Sequence, residues 1–303
     1  MTNKPVMILD GGMGRELKRR GAPFRQPEWS ALAMMETPEI VREVHDDYIK
    51  SGAQFITTNS YALVPFHIGE DVFKEQALSL AKLSGEVAKQ AADAGDKPVN
   101  VAGSLPPLFG SYRADLFEAD KVEALATPLI QGLDPYVDLW LSETQSLIAE
   151  AVAVKAIVDK LSEGDKPFWV AFTLEDSLTV EEPVLRSGET VVEAVKAMHA
   201  IGVDGVLFNC CQPEVIEKAL IIAKETFTSL GQPSFPLGAY ANAFQPQAKD
   251  AQANSDVSTI RDDLNPGDYL GWAKEWQKAG ASLIGGCCGI GPEHIAVLSE
   301  ELS

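Results

Sequence analysis

Short apolar, β-branched runs recur along the chain, each closing on a polar or glycine-rich cluster and each followed by a stretch of helical periodicity. The runs are "PVMILDGG", "AQFITTNSY", "VNVAGSLPP", "VDLWLSET", "PFWVAFTLED", "VDGVLFNC", "FPLGAYANA" and "ASLIGGCC". They are near-continuously hydrophobic rather than alternating, which marks parallel strands buried on both faces. The stretches between them carry helix punctuation. "TPEIVREVHDDYIKSG" opens with Thr37 as N-cap and Pro38 in the first turn, and Gly52 follows its last turn. "TQSLIAEAVAVKAIVDKLSEG" has Gly164 beyond its end. "QPEVIEKALIIAKETFTSLG" and "NPGDYLGWAKEWQKAG" repeat the form, and "GPEHIAVLSEEL" closes the series.

Roughly eight β-α units in series predict an α/β fold, a single (β/α)8 TIM barrel over residues 1–303. The rival is an open doubly wound sheet, which carries G-x-G-x-x-G after its first strand. Here Gly11, Gly12 and Gly14 miss that spacing. Two segments, 104–120 and 243–265, break the period as long polar or proline-rich insertions. Both follow strands, so a barrel sets them on its C-terminal face, where long loops cover substrate. The strand ends on that face read Asp10, Thr58, Ser104, Glu143, Glu175, Cys210, Asn242 and Cys287-Cys288, polar where each preceding run is apolar.

Composition restricts the partners. Hydrophobic residues make up 46% and charged residues 23% of the 303, values of an ordinary globular chain, which excludes wholesale disorder. Against 44 acidic residues stand 25 basic ones, a net charge of −19. Such a surface repels nucleic acid and anionic membrane, so neither is an expected partner. The N-terminus lacks the apolar core and cleavage site of a signal peptide, and no apolar run nears the roughly 18 residues of a membrane helix. A soluble, cytoplasmic protein is expected, and self-association into a homo-oligomer is compatible with it.

The cysteines carry the sharpest chemistry. All four lie in two adjacent pairs, Cys210-Cys211 and Cys287-Cys288. A secreted disulfide framework scatters its cysteines more widely, and a bond between chain neighbours closes a strained ring. Free thiols in a reducing compartment, bound to metal, fit better. Zn2+ favours tetrahedral thiolate coordination and, in catalytic sites, keeps one position open. Strands six and eight of a barrel are near neighbours, so Cys210 can face Cys287 and Cys288. Adjacent residues of a straight strand point to opposite faces, and Gly285, Gly286 and Gly289 allow the bend that turns both sulfurs one way. Two other readings stay open: cysteines as small buried hydrophobes, and a redox dithiol, for which C-x-x-C is the commoner form. Trp29, Tyr61, Tyr112 and Tyr240 lie near strand ends and suit either a cationic ligand or rim packing. His45, His67, His199 and His294 have no metal-ligand spacing.

"ILDGGMGRELKRRG", "SGAQFITTNSY", "LSET", "FNC" and "LIGGCCGIGPEHI" together resemble the homocysteine S-methyltransferase family, from Asp10 to His294. That family includes S-methylmethionine-dependent and betaine-dependent homocysteine methyltransferases and the homocysteine module of cobalamin-dependent methionine synthase. The resemblance implies a zinc-containing (β/α)8 barrel that methylates the thiol of L-homocysteine with a small methyl donor. It maps the zinc thiolates to Cys210, Cys287 and Cys288, choosing Cys210 over Cys211 because the family's upstream ligand directly follows Asn, here Asn209. It further implies that Asp10 and Glu143 hold the substrate ammonium. The N–H groups around Gly11, Gly12 and Thr58 receive its carboxylate, and Asn242 belongs to the substrate site.

Two departures border the donor side. Phe244 stands where the family commonly has Gly, and "GSLPPLFGSY" lacks the usual glycine-rich form. They leave the donor open among S-methylmethionine, the first choice, S-adenosylmethionine and betaine. The chain runs only about 15 residues past "GGCCG", from which no folate or cobalamin module is expected, and a detached homocysteine module of a cobalamin-dependent system stays as an alternative. The rival classes are a non-enzymatic zinc- or thiol-binding barrel and a thiol oxidoreductase.

Overall fold

Each of the eight apolar runs forms one strand. In the computed structural model, which describes residues 5–23, 25–176, 182–245 and 260–303, they are β1 (Met7–Ile8), β2 (Phe55–Thr57), β3 (Asn100–Leu105) and β4 (Leu139–Gln145). The second half follows as β5 (Phe168–Phe172), β6 (Gly205–Asn209), β7 (Leu237–Tyr240) and β8 (Leu283–Ile284). All pairings are parallel, in the order β1-β8-β7-β6-β5-β4-β3-β2. A parallel bridge from Leu9 to Phe55 joins the first strand to the second and closes the barrel.

The helices α1 (Met13–Arg19), α2 (Ser30–Glu36), α3 (Pro38–Lys50), α4 (Pro65–Ile68) and α5 (Glu70–Ala94) precede β3. Then come α6 (Val122–Leu133), α7 (Ile148–Leu161), α8 (Val191–Ala200), α9 (Pro213–Ser229), α10 (Pro266–Ala279) and α11 (Pro292–Leu302). The strands feed two cores because successive side chains face opposite sides. Val101, Trp140, Phe168, Val170 and Phe208 pack outward against helices. Ala102, Leu141, Trp169, Ala171 and Leu207 fill the barrel interior. A strand with both faces apolar reads as a continuous run, and this is why no alternation shows in the sequence.

The end of the barrel opposite the site is pinned by a repeated device. Gln54, Asp138 and Asp204 each accept the backbone N–H of a residue on or beside the preceding strand: Ile8 at 2.9 Å, Val101 at 2.8 Å and Phe168 at 2.8 Å.

Helix boundaries follow the punctuation with one correction. Gly52, Gly164 and Gly231 take positive φ just past helix ends. Thr37 does precede α3, but its φ of −145° and ψ of 57° turn the hydroxyl away, and it caps nothing. Asn265, which opens a stretch that repeats the cap-then-proline form, caps α10 through its side chain, and Thr190, which the periodicity did not single out, caps α8.

Of the two insertions, 104–120 is folded onto the barrel. The carboxylate of Glu150, near the start of α7, accepts the Leu108 N–H at 2.7 Å. Burial pushes that carboxyl up to about 7. Residues 246–259 of the second insertion lie outside the described residues. Its two described ends meet at a bridge between Phe244 and Ile260.

Candidate active site

A pocket opens at the C-terminal ends of the strands, as expected of a barrel. Asp10, just past β1, enters it first. One of its carboxylate oxygens accepts the Thr57 N–H at 2.7 Å and the other accepts the Thr57 hydroxyl at 3.1 Å. Glu143 reaches the same pocket from β4, where the ladder to β5 is bulged between Ser142 and Gln145. Ser104 Oγ donates to one oxygen of Glu143 in a short hydrogen bond, and Tyr240 Oη donates to the other at 3.4 Å. Burial is the main force on both acids and pushes each up to about 7; the hydrogen bonds oppose it, and Glu143 adds repulsion at Asp10. No Lys or Arg is among the described residues lining the pocket. Two buried carboxylates whose charge burial opposes, with no Lys or Arg in the described lining, make a receptor for a cation.

At the other end of the pocket three sulfurs converge. Sγ of Cys210, Cys287 and Cys288 lie within 4.8 Å of one another. β7 runs between the strands that carry them, with Tyr240 at its end facing the pocket and Ala239, Ala241 and Ala243 packed in the outer core. The expectation that the four thiols are all free needs correction. Cys210 and Cys287 are joined, Cα to Cα 5.7 Å, while Cys211 and Cys288 are free. Sulfurs set this close either share an ion when reduced or bond to each other when oxidised, and the bond crosses between the two adjacent pairs rather than closing within one. Cys211 faces away, fully buried in the outer core.

The glycines work differently from expectation. Gly289 does take positive φ, 85°, yet the sharpest turn falls on Cys210 itself, at φ 51°. Gly285 and Gly286 are required for close approach instead. A Cβ on Gly285 would stand 2.7 Å from the Asp10 carbonyl oxygen, and one on Gly286 would enter the Ile290 side chain.

Three polar assignments shift. Gly11, Gly12 and Thr58 line the pocket, but the Gly12 N–H is spent on Ile290 O at 2.9 Å and the Thr58 N–H on Ala102 O at 3.0 Å. The loop after β8 and the neighbouring strand β3 thus take the Gly12 and Thr58 donors, while the expectation for Gly11 is untouched by these bonds. Asn242 is buried behind the wall rather than in the lining: its Oδ1 accepts Gln212 Nε2 at 3.3 Å and the Phe244 N–H at 3.2 Å. Glu175 likewise turns away, 3.8 Å from Arg186, which also pairs with Asp176. The aromatics do gather: Trp29, Tyr61, Tyr112 and Tyr240 all line the pocket, with Phe55 and Trp169 tilted together at 5.1 Å beneath. Thr57, Ser104 and Thr144, which support these groups, carried only the weak signal of hydroxyl residues at strand ends.

Paired acids, a three-sulfur cluster and aromatic walls at the mouth of one (β/α)8 barrel have the chemistry of a site for a cationic ligand beside a thiolate-bound metal. The homocysteine S-methyltransferase family model matches residues 7–302, and the chain belongs to that family. It is 30% identical to homocysteine S-methyltransferase of Escherichia coli K12 over 98% of this chain and 96% of the relative. The solved structure of E. coli homocysteine methyltransferase MmuM in its metallated form superposes with a TM-score of 0.78 at 29% identity, covering 98% of this chain and 96% of that one. Its oxidized form gives the same TM-score at 28% identity and the same coverage.

Proposed function

We propose that this protein, as a single barrel domain, transfers a methyl group from a small onium donor to the thiol of L-homocysteine, giving methionine, with Zn2+ held by Cys210, Cys287 and Cys288. The observation that carries this reading is the convergence of those three sulfurs in the pocket that also holds Asp10 and Glu143. The donor set fits zinc: three soft ligands from two strand ends, reduced, with the pocket side left for a fourth. Zinc bound there supplies a Lewis acid that keeps the substrate sulfur as thiolate at neutral pH.

The chain's own residues do the rest. Asp10 and Glu143 take the substrate ammonium, which offsets the burial that holds them near neutrality. Thr57, Ser104 and Tyr240 fix the orientation of those carboxylates. Trp29, Tyr61, Tyr112 and Tyr240 offer ring faces to the positive sulfonium of the donor and exclude water around it. As the homocysteine sulfur bonds to the methyl carbon, the carbon–sulfonium bond breaks and the donor leaves as a neutral thioether. S-methylmethionine is the first donor. Ligand thiols require a reducing compartment, consistent with the cytoplasm.

The test is a panel of S-methylmethionine, S-adenosylmethionine and betaine with L-homocysteine, on reduced, zinc-loaded protein. Methionine formation with at least one donor is expected; none with any donor rejects the reading. Cys210→Ser and Cys288→Ser are expected to lose zinc and activity while Cys211→Ser keeps both. Zinc lost only from Cys211→Ser would overturn the ligand assignment.

A further inference from the structure

One buried side chain outside the pocket lining ties its two ends together. Asn209, the last residue of β6, is fully buried and accepts the Thr144 N–H on Oδ1 at 3.0 Å. Its Nδ2 donates to Thr144 Oγ1 at 2.9 Å. The contact reaches past β5, which lies between β6 and β4 in the sheet. Asn209 precedes the pocket group Cys210, and Thr144 follows Glu143 and itself lines the pocket, where its side chain also bonds Tyr61. Both neighbouring backbones are unusual. Thr144 sits at φ 57° and Cys210 at φ 51°, the left-handed region that non-glycine residues avoid, β-branched ones most of all. Such conformations persist only where the surroundings over-determine them, and they gather at sites where placement matters. At Thr144 one planar amide contributes, its acceptor and donor matching the N–H and hydroxyl of that single threonine. Cys210 is also held by its N–H to Tyr240 O at 3.3 Å and by the Thr173 hydroxyl, which donates to its carbonyl at 3.3 Å.

We infer that Asn209 is a positioning residue that sets the span between Glu143 and Cys210, and thereby selects the four-carbon aminothiol homocysteine over three-carbon cysteine. This rests on the reading that Glu143 binds the ammonium and Cys210 belongs to the sulfur end. Homocysteine differs from cysteine by one methylene between those ends, and a pocket of fixed length discriminates one methylene by about 10- to 200-fold. A span free to relax discriminates less, because the acid and the sulfur centre then close on the shorter ligand. Asn209 touches neither ligand; it holds the two anchors.

The experiment is calorimetric binding of L-homocysteine and L-cysteine to reduced, zinc-loaded wild-type protein, Asn209→Ala, Thr144→Ala and Thr144→Ser, with bound zinc and melting temperature measured on each. Wild type is expected to prefer homocysteine by at least about 10-fold. Asn209→Ala and Thr144→Ala are expected to cut that preference several-fold, mainly by tightening cysteine relative to homocysteine, while Thr144→Ser, which restores the hydroxyl, recovers it. A merely structural role would lower melting temperature and weaken both ligands by the same factor; that result, or an unchanged ratio, overturns the inference. Should Asn209→Ala fail to fold, Asn209→Ser, which removes the amide but keeps a small polar group outside the pocket lining, takes its place and decides it. Wild type that binds neither aminothiol would overturn the functional reading as well, a result distinct from an unchanged ratio.

Discussion

Asp10 and Glu143 show how burial stores a response to pH. Each holds its proton up to about 7, well above an ordinary carboxyl. The ligand-free fold therefore binds protons that the unfolded chain has already released. Their stabilising contribution is complete below the unfolded carboxyl range and is lost as pH rises through about 7. Ammonium binding has the opposite sign, because it requires the charged carboxylates. The thermal midpoint of ligand-free protein is expected to fall between pH 5.5 and 8, and Asp10→Asn/Glu143→Gln to flatten that slope while raising the midpoint at pH 8. L-homoserine, which has the ammonium without the thiol, is expected to bind more tightly across the same interval with release of protons, visible by calorimetry in buffers of different ionisation enthalpy. Equal affinity at pH 6 and pH 8 would contradict the assignment of these acids. Both were legible in the sequence as acids ending apolar runs. Their partners were not: Thr57 lies 47 positions from Asp10 and Ser104 lies 39 from Glu143, so the pairing depends on strand register around the barrel.

At the scale of elements, every strand was readable because burial on both faces leaves a nearly unbroken apolar run. Helix ends were readable only where chain geometry alone sets them, as at Gly52 and Gly164. A cap depends on where a hydroxyl points, and that is decided by packing. Thr190 accepts the Glu193 N–H at 3.2 Å while the Glu193 carboxylate accepts the Thr190 N–H at 2.8 Å, a reciprocal box at the start of α8. Thr37 stands at the equivalent place before α3 without such a bond. Thr190→Ala is expected to cost about 1 kcal/mol and Thr37→Ala close to nothing, read from urea midpoints at constant m-value. The reverse order would mean that the hydroxyl of Thr37, not that of Thr190, anchors its helix. The same distinction explains the glycines of "GGCCG". Their presence signalled a special backbone, but only the packed fold shows that Gly285 and Gly286 make room for Asp10 and Ile290.

Across the whole molecule, the eightfold β-α series announced the barrel, whereas the way it closes was invisible. The first and second strands meet through one bridge and through Gln54, whose N–H donates to Ile8 O at 2.7 Å and whose side chain takes the Ile8 N–H. Gln54→Ala leaves that N–H unpaired at the seam and is expected to destabilise the protein by about 1–3 kcal/mol, with Gln54→Glu, which keeps the acceptor, losing less. Denaturant titration of both variants checks it. The charge excess of −19 acts on the same scale. Sodium chloride up to 0.3 M is expected to raise the melting temperature by a few degrees by screening self-repulsion; a fall would show that attractive ion pairs dominate instead.

That seam also orders events in time. Asp10 O accepts the Gly286 N–H at 2.9 Å, so the buried acid after the first strand and the loop that carries two of the three sulfurs are neighbours in space although they leave the ribosome far apart. A nascent chain stalled before its eighth strand has the early acid and Cys210 but no competent sulfur cluster. If the three sulfurs hold the proposed ion, its uptake follows closure of the barrel rather than accompanying synthesis of the chain.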